Sequence, residues 1–382
     1  MSTPLSVKIL FAGGGTGGHL YPAIAIAQRL TDLLKNRMAV EIAFVGTKRG
    51  LEYRIKDELG YPLHLINMRG ITRSLAVINL LVPFIIVLAL LQSAMLLKKF
   101  RPDLVVGTGG YVSWPVLKMA ATLGILTVLQ EQNSYPGIAT RSGAKKAKRV
   151  YLGFEDAKKF IDRNANTMVT GNPVRSEIGQ GSRQKATEQF KLDSNKKTIL
   201  VLGGSQGARA INNAVIKSLE TKSWAGDAQL LWQTGKRDYT DVKVKVSKLH
   251  WDGALFPFAI NMPDVYAAAD IVIARAGALT LAELIKCGLP SILVPYPFAA
   301  GDHQKKNAES LSARSAAAVI DETNLNELDI LNEAFQLLHS PKFAEIQNAV
   351  VRLTEGRQPA VDIIAEDIIS IIQETKQVES GN

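Results

Sequence analysis

Two glycine-rich segments constrain the fold of this chain more than any other feature. The first, residues 13–18, follows the apolar run 7–12, and the second, residues 203–207, follows the apolar run 198–202. A helical pattern comes after each of them. An apolar strand, a glycine turn and a helix in this order open a βαβ unit. The sequence therefore predicts two parallel sheets, each of which begins just before one of these segments.

Further short apolar runs continue the same alternation of strands and helices. The strands predicted in this way lie at residues 40–45, 104–106 and 125–129 in the first half and at 230–233, 271–274 and 291–294 in the second. Pro22 is predicted to open the first helix, because proline is favoured in a first helical turn. The fold class is therefore α/β, with two doubly wound, Rossmann-like domains that face a cleft.

A turn-forming cluster at residues 171–173 marks the predicted domain boundary. It divides the chain into an N-terminal domain, 1–171, and a C-terminal domain, 172–358. A last helix is predicted at about 359–376. We expect it to pack on a domain surface, because isoleucines recur in it at helical spacing. These are Ile363, Ile364, Ile368, Ile369 and Ile372.

Composition narrows the classes of function. The net charge is +10 with a pI near 9.5, which favours anionic partners such as acidic lipid or a phosphorylated substrate. The basic residues are dispersed without an aromatic-interleaved pattern, so a nucleic-acid partner is not predicted. The single cysteine, Cys287, excludes an internal disulfide and suits a reducing cytosol. Residues 1–10 lack the pattern of a signal peptide.

The first glycine segment formally satisfies the dinucleotide fingerprint G-x-G-x-x-G through Gly13, Gly15 and Gly18. That interpretation also needs an acidic residue at the end of the second strand, where this chain has Gly46 and Thr47. An NAD enzyme is therefore disfavoured. A glycine turn at a helix N-terminus still directs backbone N–H groups at an anion such as a pyrophosphate.

His19 ends this first glycine segment. A neutral imidazole there could act as a general base for a sugar hydroxyl. The alternative is a polar residue that only satisfies backbone groups at the helix start. On the histidine alone the structural alternative is favoured, and the motifs that follow reverse that preference.

Seven motifs occur in one order along the chain. They are 13–19 (GGGTGGH), 107–113 (GTGGYVS), 131–133 (EQN), 171–175 (GNPVR), 203–208 (GGSQGA), 275–283 (RAGALTLAE) and 302–308 (DHQKKNA). In this series the chain resembles the MurG family of peptidoglycan synthesis, nearly end to end. The resemblance implies a GT-B fold and inverting transfer of GlcNAc from UDP-GlcNAc to the MurNAc 4-hydroxyl of lipid I, giving lipid II.

The resemblance also implies where such an enzyme works and with what. It predicts a peripheral protein at the cytoplasmic face of the bacterial inner membrane, with an anionic membrane surface and other cell-wall synthesis proteins as partners. The N-terminal domain would hold the acceptor and the C-terminal domain UDP-GlcNAc. No cofactor and no metal are expected, since the chain has no D-x-D sequence and no ligand-spaced carboxylates or histidines.

Residue by residue, the resemblance makes His19 the catalytic base. The UDP-GlcNAc site that it implies consists of Thr16, Gly17, Gly18, Asn133, Arg175, Ser205, Ala259, Ala278, Leu279, Thr280, Leu281, Ala282, Glu283 and Gln304.

The chemistry of several of these side chains suits such a site, although each also has a structural alternative. Glu283 can accept both ribose hydroxyls or serve as a helix-start charge. Ser205 and its neighbouring amides can cradle a phosphate. Arg175 can bind phosphate as a fork or remain a solvated surface arginine. Asn133 and Gln304 can pair with sugar hydroxyls or act as turn residues. Ala259 matches the position whose backbone reads the uracil.

Three departures from the family pattern stand out. Trp114 occupies a position that is usually glycine, and Gln130 a position that is usually histidine. The segment 258–262 lacks the usual acidic pair, which bears on the uracil contact.

Three other functions stay open at this point. A related GT-B enzyme acting on another lipid, such as diacylglycerol, fits many of the same motifs. A non-catalytic nucleotide-binding or scaffold protein would tolerate the loss of His19. The NAD enzyme is the weakest of the three.

One segment bears on the membrane. Residues 75–97 contain no charged residue, and the run is long enough to span a bilayer. The alternatives are a buried core helix and a helix that dips into the membrane interface. The last is favoured, because Arg69, Arg73, Lys98, Lys99 and Arg101 flank the run and suit anionic headgroups.

Overall fold

The computed structural model describes residues 6–35, 37–69, 82–204, 207–221, 227–259 and 261–380. The chain divides into two compact units. Unit 1 comprises Met1–Arg175 and Gln358–Asn382, and unit 2 comprises Ser176–Arg357.

Unit 1 contains a seven-stranded parallel sheet with the order β3-β2-β1-β4-β5-β6-β7. Its strands are β1 (Ser6–Gly13), β2 (Ala39–Gly46), β3 (Leu63–Leu65), β4 (Leu104–Gly109), β5 (Leu126–Glu131), β6 (Arg149–Leu152) and β7 (Thr167–Val169). Its helices are α1 (Gly17–Leu34), α2 (Leu51–Arg54), α3 (Val82–Phe100), α4 (Ser113–Thr122), α5 (Ile138–Gly143) and, from the end of the chain, α14 (Ala360–Ser380).

Unit 2 contains a six-stranded parallel sheet with the order β10-β9-β8-β11-β12-β13. Its strands are β8 (Lys197–Leu202), β9 (Ala228–Gln233), β10 (Gly253–Phe256), β11 (Ile271–Ala274), β12 (Ser291–Leu293) and β13 (Ala318–Val319). Its helices are α6 (Arg183–Phe190), α7 (Arg209–Thr221), α8 (Tyr239–Val246), α9 (Met262–Ala268), α10 (Ala278–Lys286), α11 (His303–Ser312), α12 (Ile330–Leu338) and α13 (Pro341–Arg352).

The alternation of side chains along β1 explains why helices cover both faces of the first sheet. Ile9 and Phe11 enter one core cluster, which α1 and α14 complete. Leu10 and Ala12 enter the other cluster, which α3 and α4 cover. All four side chains are fully buried, so residues 9–12 form a continuously apolar stretch, as expected for a central strand of a parallel sheet.

The last helix belongs to unit 1. Ile364, Ile368 and Ile372 of α14 are buried against α1. The Asp367 carboxylate pairs with Arg149 at 2.9 Å and accepts a hydrogen bond from the Tyr151 hydroxyl at 2.8 Å. Burial and the nearby Asp367 carboxylate raise the pKa of Tyr151 well above its ordinary value, so the phenol stays protonated as a donor.

The expected start of the first helix was wrong. α1 begins at Gly17, and Pro22 lies inside it. The Thr16 carbonyl already accepts the N–H groups of His19 and Leu20, so the first turn forms before the proline. Since proline has no N–H, it removes one hydrogen bond of the second turn without preventing the helix.

Helix α3 carries an exposed apolar face. Among the described residues it is the one helix that is long and apolar enough to cross a membrane, and 17% of its most apolar window is buried. Ala89, Ser93 and Leu97 are its buried stripe. The opposite side exposes Phe84, Val87, Leu88, Leu91 and Met95. This arrangement is not that of a buried core helix. Residues 75–81 of the apolar segment lie outside the described residues, and so does Arg73, which flanks it.

Candidate functional site

Each sheet has a switch point, where neighbouring strands connect to helices in opposite directions. In unit 1 this point lies between β1 and β4, and in unit 2 between β8 and β11. Ligands of doubly wound sheets bind outside the carboxyl ends of the strands at such points. The first glycine segment follows β1, the second follows β8, and α10 begins just after β11. His19, in the first turn of α1, and Ala278, Leu279 and Thr280, in the first turn of α10, therefore lie at the edges of the sheets where doubly wound folds bind ligands.

A bulge in β4 shapes the unit 1 site. Ala12 pairs with Gly107 and Gly13 pairs with Gly109, so Thr108 is the extra residue. The Thr108 hydroxyl donates to the His19 carbonyl at 2.8 Å. A Cβ at Gly13 would lie 1.7 Å from the Thr108 hydroxyl oxygen, so only glycine fits there. The bulge thus joins the end of β4 to the start of α1.

The imidazole of His19 is held from one side. Its Nδ1 lies 3.1 Å from the Thr108 carbonyl oxygen and 3.0 Å from Oε1 of Gln132. Both partners are acceptors, so Nδ1 carries the proton and donates. Within the described part of the chain no hydrogen bond reaches Nε2, which is therefore the nitrogen with a lone pair to accept a proton.

Two glycines pack closely against the ring. Gly109 and Gly110 have φ values of +100° and +81°, a region that favours glycine. A Cβ at Gly109 would lie 2.8 Å from Nδ1 of His19, and one at Gly110 would lie 2.3 Å from the Gly14 carbonyl oxygen. Glycine at both positions therefore lets the turn after β4 approach the imidazole.

Glu52 is a site residue that the sequence did not indicate. It is fully buried in α2 and accepts hydrogen bonds from the Gly15 N–H at 2.7 Å and the Thr47 N–H at 2.9 Å. One amide of the first glycine segment is thus occupied by the chain's own carboxylate. A pyrophosphate at that amide would be repelled, which further disfavours a dinucleotide site.

The remaining candidates of unit 1 lie near these elements. Thr16 is exposed at the start of α1, and Gly17 and Gly18 are the first residues of that helix. Asn133 is half-buried, and its side chain donates to the Glu131 carboxylate at 3.3 Å. The Arg175 guanidinium lies over the Tyr21 ring, 5.4 Å from its centroid.

In unit 2, Glu283 lies on α10 and accepts a hydrogen bond from the buried Tyr266 hydroxyl at 2.7 Å. Ala278, Leu279 and Thr280 form the first turn of α10, the position at which a helix favours an anion.

Two candidates on and near α10 are oriented toward the protein. Leu281 is fully buried, and its N–H donates to the Gly277 carbonyl, so it packs the helix. The side chain of Gln304, on α11, accepts from the Tyr296 N–H at 3.0 Å and so ties that helix to the loop after β12. Ala282 is half-buried on α10.

Ala259 is buried, and its N–H donates to Oε1 of Gln233 at 2.8 Å. A uracil could use that amide only by sharing or displacing the glutamine oxygen. Ser205 lies outside the described residues.

Within the part of the chain that the structure describes, no group of three or more His, Cys, Asp or Glu side chains is placed to hold a metal ion. Burial, and then the nearby Glu283 carboxylate, raise the pKa of the Cys287 thiol to about 11. The thiol therefore stays protonated near neutral pH and is a poor nucleophile.

Comparison with known proteins decides the family. The N-terminal domain model of glycosyltransferase family 28 matches residues 9–152, and its C-terminal domain model matches residues 198–361. A UDP-N-acetylglucosamine--N-acetylmuramyl-(pentapeptide) pyrophosphoryl-undecaprenol N-acetylglucosamine transferase of Chlorobium limicola is 44% identical, with 88% of this chain and 91% of the relative covered. The chain belongs to the MurG family of glycosyltransferases.

Two further MurG proteins are similar over nearly their whole length. The transferase of the same name from Chlorobaculum tepidum is 42% identical and covers 96% of this chain and 99% of its own. The crystal structure of Acinetobacter baumannii MurG has a TM-score of 0.72 at 26% identity, covering 96% of this chain and 99% of that one. The two-domain α/β fold of the GT-B type is thereby confirmed.

The contact between Gly109 and the imidazole gives a testable prediction. Gly109→Ala adds a Cβ at positive φ that would lie 2.8 Å from Nδ1 of His19, so the ring must shift. We expect transferase turnover to fall roughly 10- to 100-fold, because small displacements of a reacting group are costly.

Gly124→Ala is the matched control. Its φ is +72° and no atom lies within 4 Å of the added Cβ, so it carries the backbone strain alone. Urea unfolding should show a loss of about 1 kcal/mol in the control, with turnover within about twofold of the parent. Equal turnover in both variants would show that Gly109 does not position His19.

Proposed function

We propose that this chain transfers GlcNAc from UDP-GlcNAc to the MurNAc 4-hydroxyl of lipid I, the undecaprenyl-pyrophosphoryl-MurNAc-peptide, and so forms lipid II. The observation that carries the proposal is the similarity to MurG proteins over 88% or more of the chain, together with a histidine whose Nδ1 is held by two acceptors. A ring held in this way presents Nε2 as a base. In the proposed reaction this base acts on a hydroxyl group of the acceptor. The oxygen of that hydroxyl group attacks the anomeric carbon in a direct displacement.

In this mechanism Nε2 of His19 takes the proton of the acceptor hydroxyl. The acceptor oxygen forms a bond to the anomeric carbon while the bond to the UDP oxygen breaks, and the electron pair leaves with UDP. Because one displacement occurs on the face opposite the leaving group, the α-linked donor gives a β-linked product. The first turn of α10 would supply positive potential for the departing pyrophosphate.

A coupled assay of UDP release tests both the reaction and the base. Release from UDP-GlcNAc should rise on addition of lipid I in vesicles and stay at its basal level when diacylglycerol replaces lipid I. His19→Ala should lower the stimulated rate by roughly 100-fold or more, as for loss of a general base. UDP-GlcNAc affinity, measured by calorimetry, should be unchanged.

His339→Ala is the control for that experiment, since this exposed histidine of unit 2 contacts its own helix. A His19→Ala variant that turns over like the control would eliminate the base assignment. Unmutated protein that binds UDP-GlcNAc without lipid-I-dependent release would instead indicate a non-catalytic nucleotide-binding protein.

Glu283 is proposed to accept the ribose hydroxyls of the donor. The Tyr266 hydroxyl already donates to one of its oxygens and so orients the carboxylate. We expect Glu283→Ala to weaken UDP binding by about 1.5–3 kcal/mol, or roughly 10- to 150-fold, because charge-assisted hydrogen bonds are lost.

Titration calorimetry with UDP and 2′-deoxy-UDP measures this role. The parent protein should prefer UDP, and Glu283→Ala should bind both ligands equally. Tyr266→Phe, which keeps the carboxylate and the ring, should cost only about 0.5–1.5 kcal/mol. If Glu283→Ala still prefers UDP to 2′-deoxy-UDP, Glu283 does not bind the ribose hydroxyls.

The membrane association is proposed to run through α3. The exposed residues Phe84, Val87, Leu88, Leu91 and Met95 recur at helical spacing and form one apolar face. Lys98 and Lys99 follow in the last turn of the helix. An apolar face beside basic residues suits a helix that lies in the interface of an anionic membrane. This surface would place unit 1 at the cytoplasmic leaflet, where a lipid-anchored acceptor is confined.

Replacement of Phe84 and Leu91 by serine tests that surface. Both side chains are more than half exposed, whereas Ile85 is half-buried, so the pair should weaken binding without unfolding the protein. Each substitution removes about 1.5 kcal/mol or more of apolar burial, so sedimentation with anionic vesicles should weaken at least about 100-fold.

Val244→Ser with Val351→Ser, two exposed apolar residues of unit 2, is the matched control and should sediment like the parent. Normal sedimentation of the Phe84/Leu91 variant would contradict the proposal that the exposed face of α3 binds the membrane. A collapsed thermal melt with unchanged sedimentation of the folded fraction would make α3 a core element.

A further inference from the structure

Three buried amide side chains lie behind His19. Gln130 and Gln132 are at the end of β5 and just beyond it, and Asn172 follows β7. Their exposed fractions are 0%, 2% and 9%. Buried amides must satisfy both their N–H₂ and their oxygen, so their partners determine how each one is oriented.

The surroundings of Gln132 leave one orientation. Its Nε2 lies 2.8 Å from the Thr108 carbonyl oxygen and 3.1 Å from the Gln130 carbonyl oxygen, and it also donates to Oε1 of Gln130. A reversed amide would place an oxygen against three oxygens. Oε1 of Gln132 therefore faces Nδ1 of His19 at 3.0 Å.

Asn172 determines the orientation of Gln130 in the same way. Its Nδ2 donates to the Gln132 carbonyl at 2.9 Å, so its Oδ1 is the atom that accepts from Nε2 of Gln130 at 3.0 Å. Gln130 then presents Oε1 to Gln132. The hydrogen bonds form one directed series from His19 through Gln132 and Gln130 to Asn172, which we call the relay.

The direction of this series matters for the imidazole. An amide beside a catalytic histidine can present either its oxygen or its N–H₂, and the second choice stabilises the wrong tautomer. The two nearby carboxylates do not intervene, because Glu52 accepts from the Gly15 and Thr47 amides and Glu131 from the Asn133 and Gly137 amides.

We propose that Gln132, oriented by Gln130 and Asn172, is a positioning residue that keeps the proton of neutral His19 on Nδ1. This inference rests on the proposed function, in which Nε2 of His19 accepts the proton of the acceptor hydroxyl. After that transfer both nitrogens carry protons, and Nδ1 still donates to the Thr108 carbonyl oxygen and to Oε1 of Gln132. The oxygens thus hold the ring in one orientation before and after the step.

Nuclear magnetic resonance of the unmodified chain gives the first test. With ¹⁵N-labelled histidine, two-bond ¹H–¹⁵N correlation spectra distinguish the two neutral tautomers. The chain has five histidines, and the His19→Ala spectrum identifies the signal of His19. We expect a protonated Nδ1 and an unprotonated Nε2 at a pH where the ring is neutral. The opposite tautomer would overturn the inference without any variant of the relay.

Variants of the relay give the second test. Gln132→Met keeps the length of the side chain and removes one of the two acceptors of Nδ1, so the population of the Nε2-protonated tautomer of His19 should rise, while the Thr108 carbonyl still accepts from Nδ1 in the remainder. The turnover number should fall roughly 10- to 100-fold, as for loss of an outer partner of a functional histidine, with KM for UDP-GlcNAc unchanged.

Gln130 supplies a conservative pair that stays informative if Gln132→Met does not fold. A neutral histidine offers one donor and one acceptor, which are the two functions that the Gln130 amide uses toward Asn172 and Gln132, so Gln130→His should keep the Nδ1 tautomer and turnover within a few-fold. Gln130→Met should resemble Gln132→Met. Parental tautomer and turnover in both methionine variants would overturn the relay.

The outcome for the base is separate from the outcome for the relay. If His19→Ala turns over normally, the base assignment fails, and the tautomer spectra still decide whether Gln132 orients the ring. If His19→Ala is inactive while the methionine variants retain parental spectra and rates, the base stands and the relay is wrong.

Discussion

Parallel pairing of β1 with β4 is the constraint on which the unit 1 site depends. Strands that run in the same direction end at the same edge of the sheet, so the turns after Gly13 and Gly109 must meet. Parallel strands also need helical crossovers, which explains the helices on both faces and the continuously apolar central strands. The bulge at Thr108 then turns this general geometry into a specific one, because its hydroxyl and its carbonyl both bond to His19.

The glycines of the site follow from the same closeness. Gly13 leaves room for the Thr108 hydroxyl, and Gly109 and Gly110 bring a backbone turn against the imidazole. The Glu52 carboxylate also holds this turn, because it accepts a hydrogen bond from the Gly15 N–H. The loop that ends in His19 is thus held at Gly15 by Glu52 and at His19 by Thr108 and Gln132, and Nε2 keeps its lone pair.

The sequence was informative wherever the determinant is local. The central strands were predicted because their apolar runs are long, and the predicted range 271–274 coincides with β11. Five strands were missed, namely β3, β6, β7, β10 and β13, because runs of two to four residues give only a weak apolar signal. Pro22 misled the prediction of the helix start because the Thr16 carbonyl, not the proline, begins the helix.

Contacts between distant residues explain what the sequence could not reveal at the site. Glycine turns and His19 carry their own local signals. Glu52, however, is 37 residues from Gly15, and Gln132 is 113 residues from His19. Their roles arise from sheet order, which places the end of β5 next to β4 and β4 next to β1. A buried acid in a short helix and a glutamine after a strand are otherwise ordinary residues.

His19 is assigned as the base of a single direct displacement, and the stereochemistry of the product tests this most directly. Lipid I in vesicles and UDP-GlcNAc should be incubated with the full-length chain, and the anomeric linkage of the transferred sugar determined by the H1–H2 coupling in its ¹H spectrum. The account predicts a large coupling, which is that of a β-linked GlcNAc on the MurNAc 4-hydroxyl. A small coupling from an α-linked product would show retention and would contradict His19 as the base of a direct displacement.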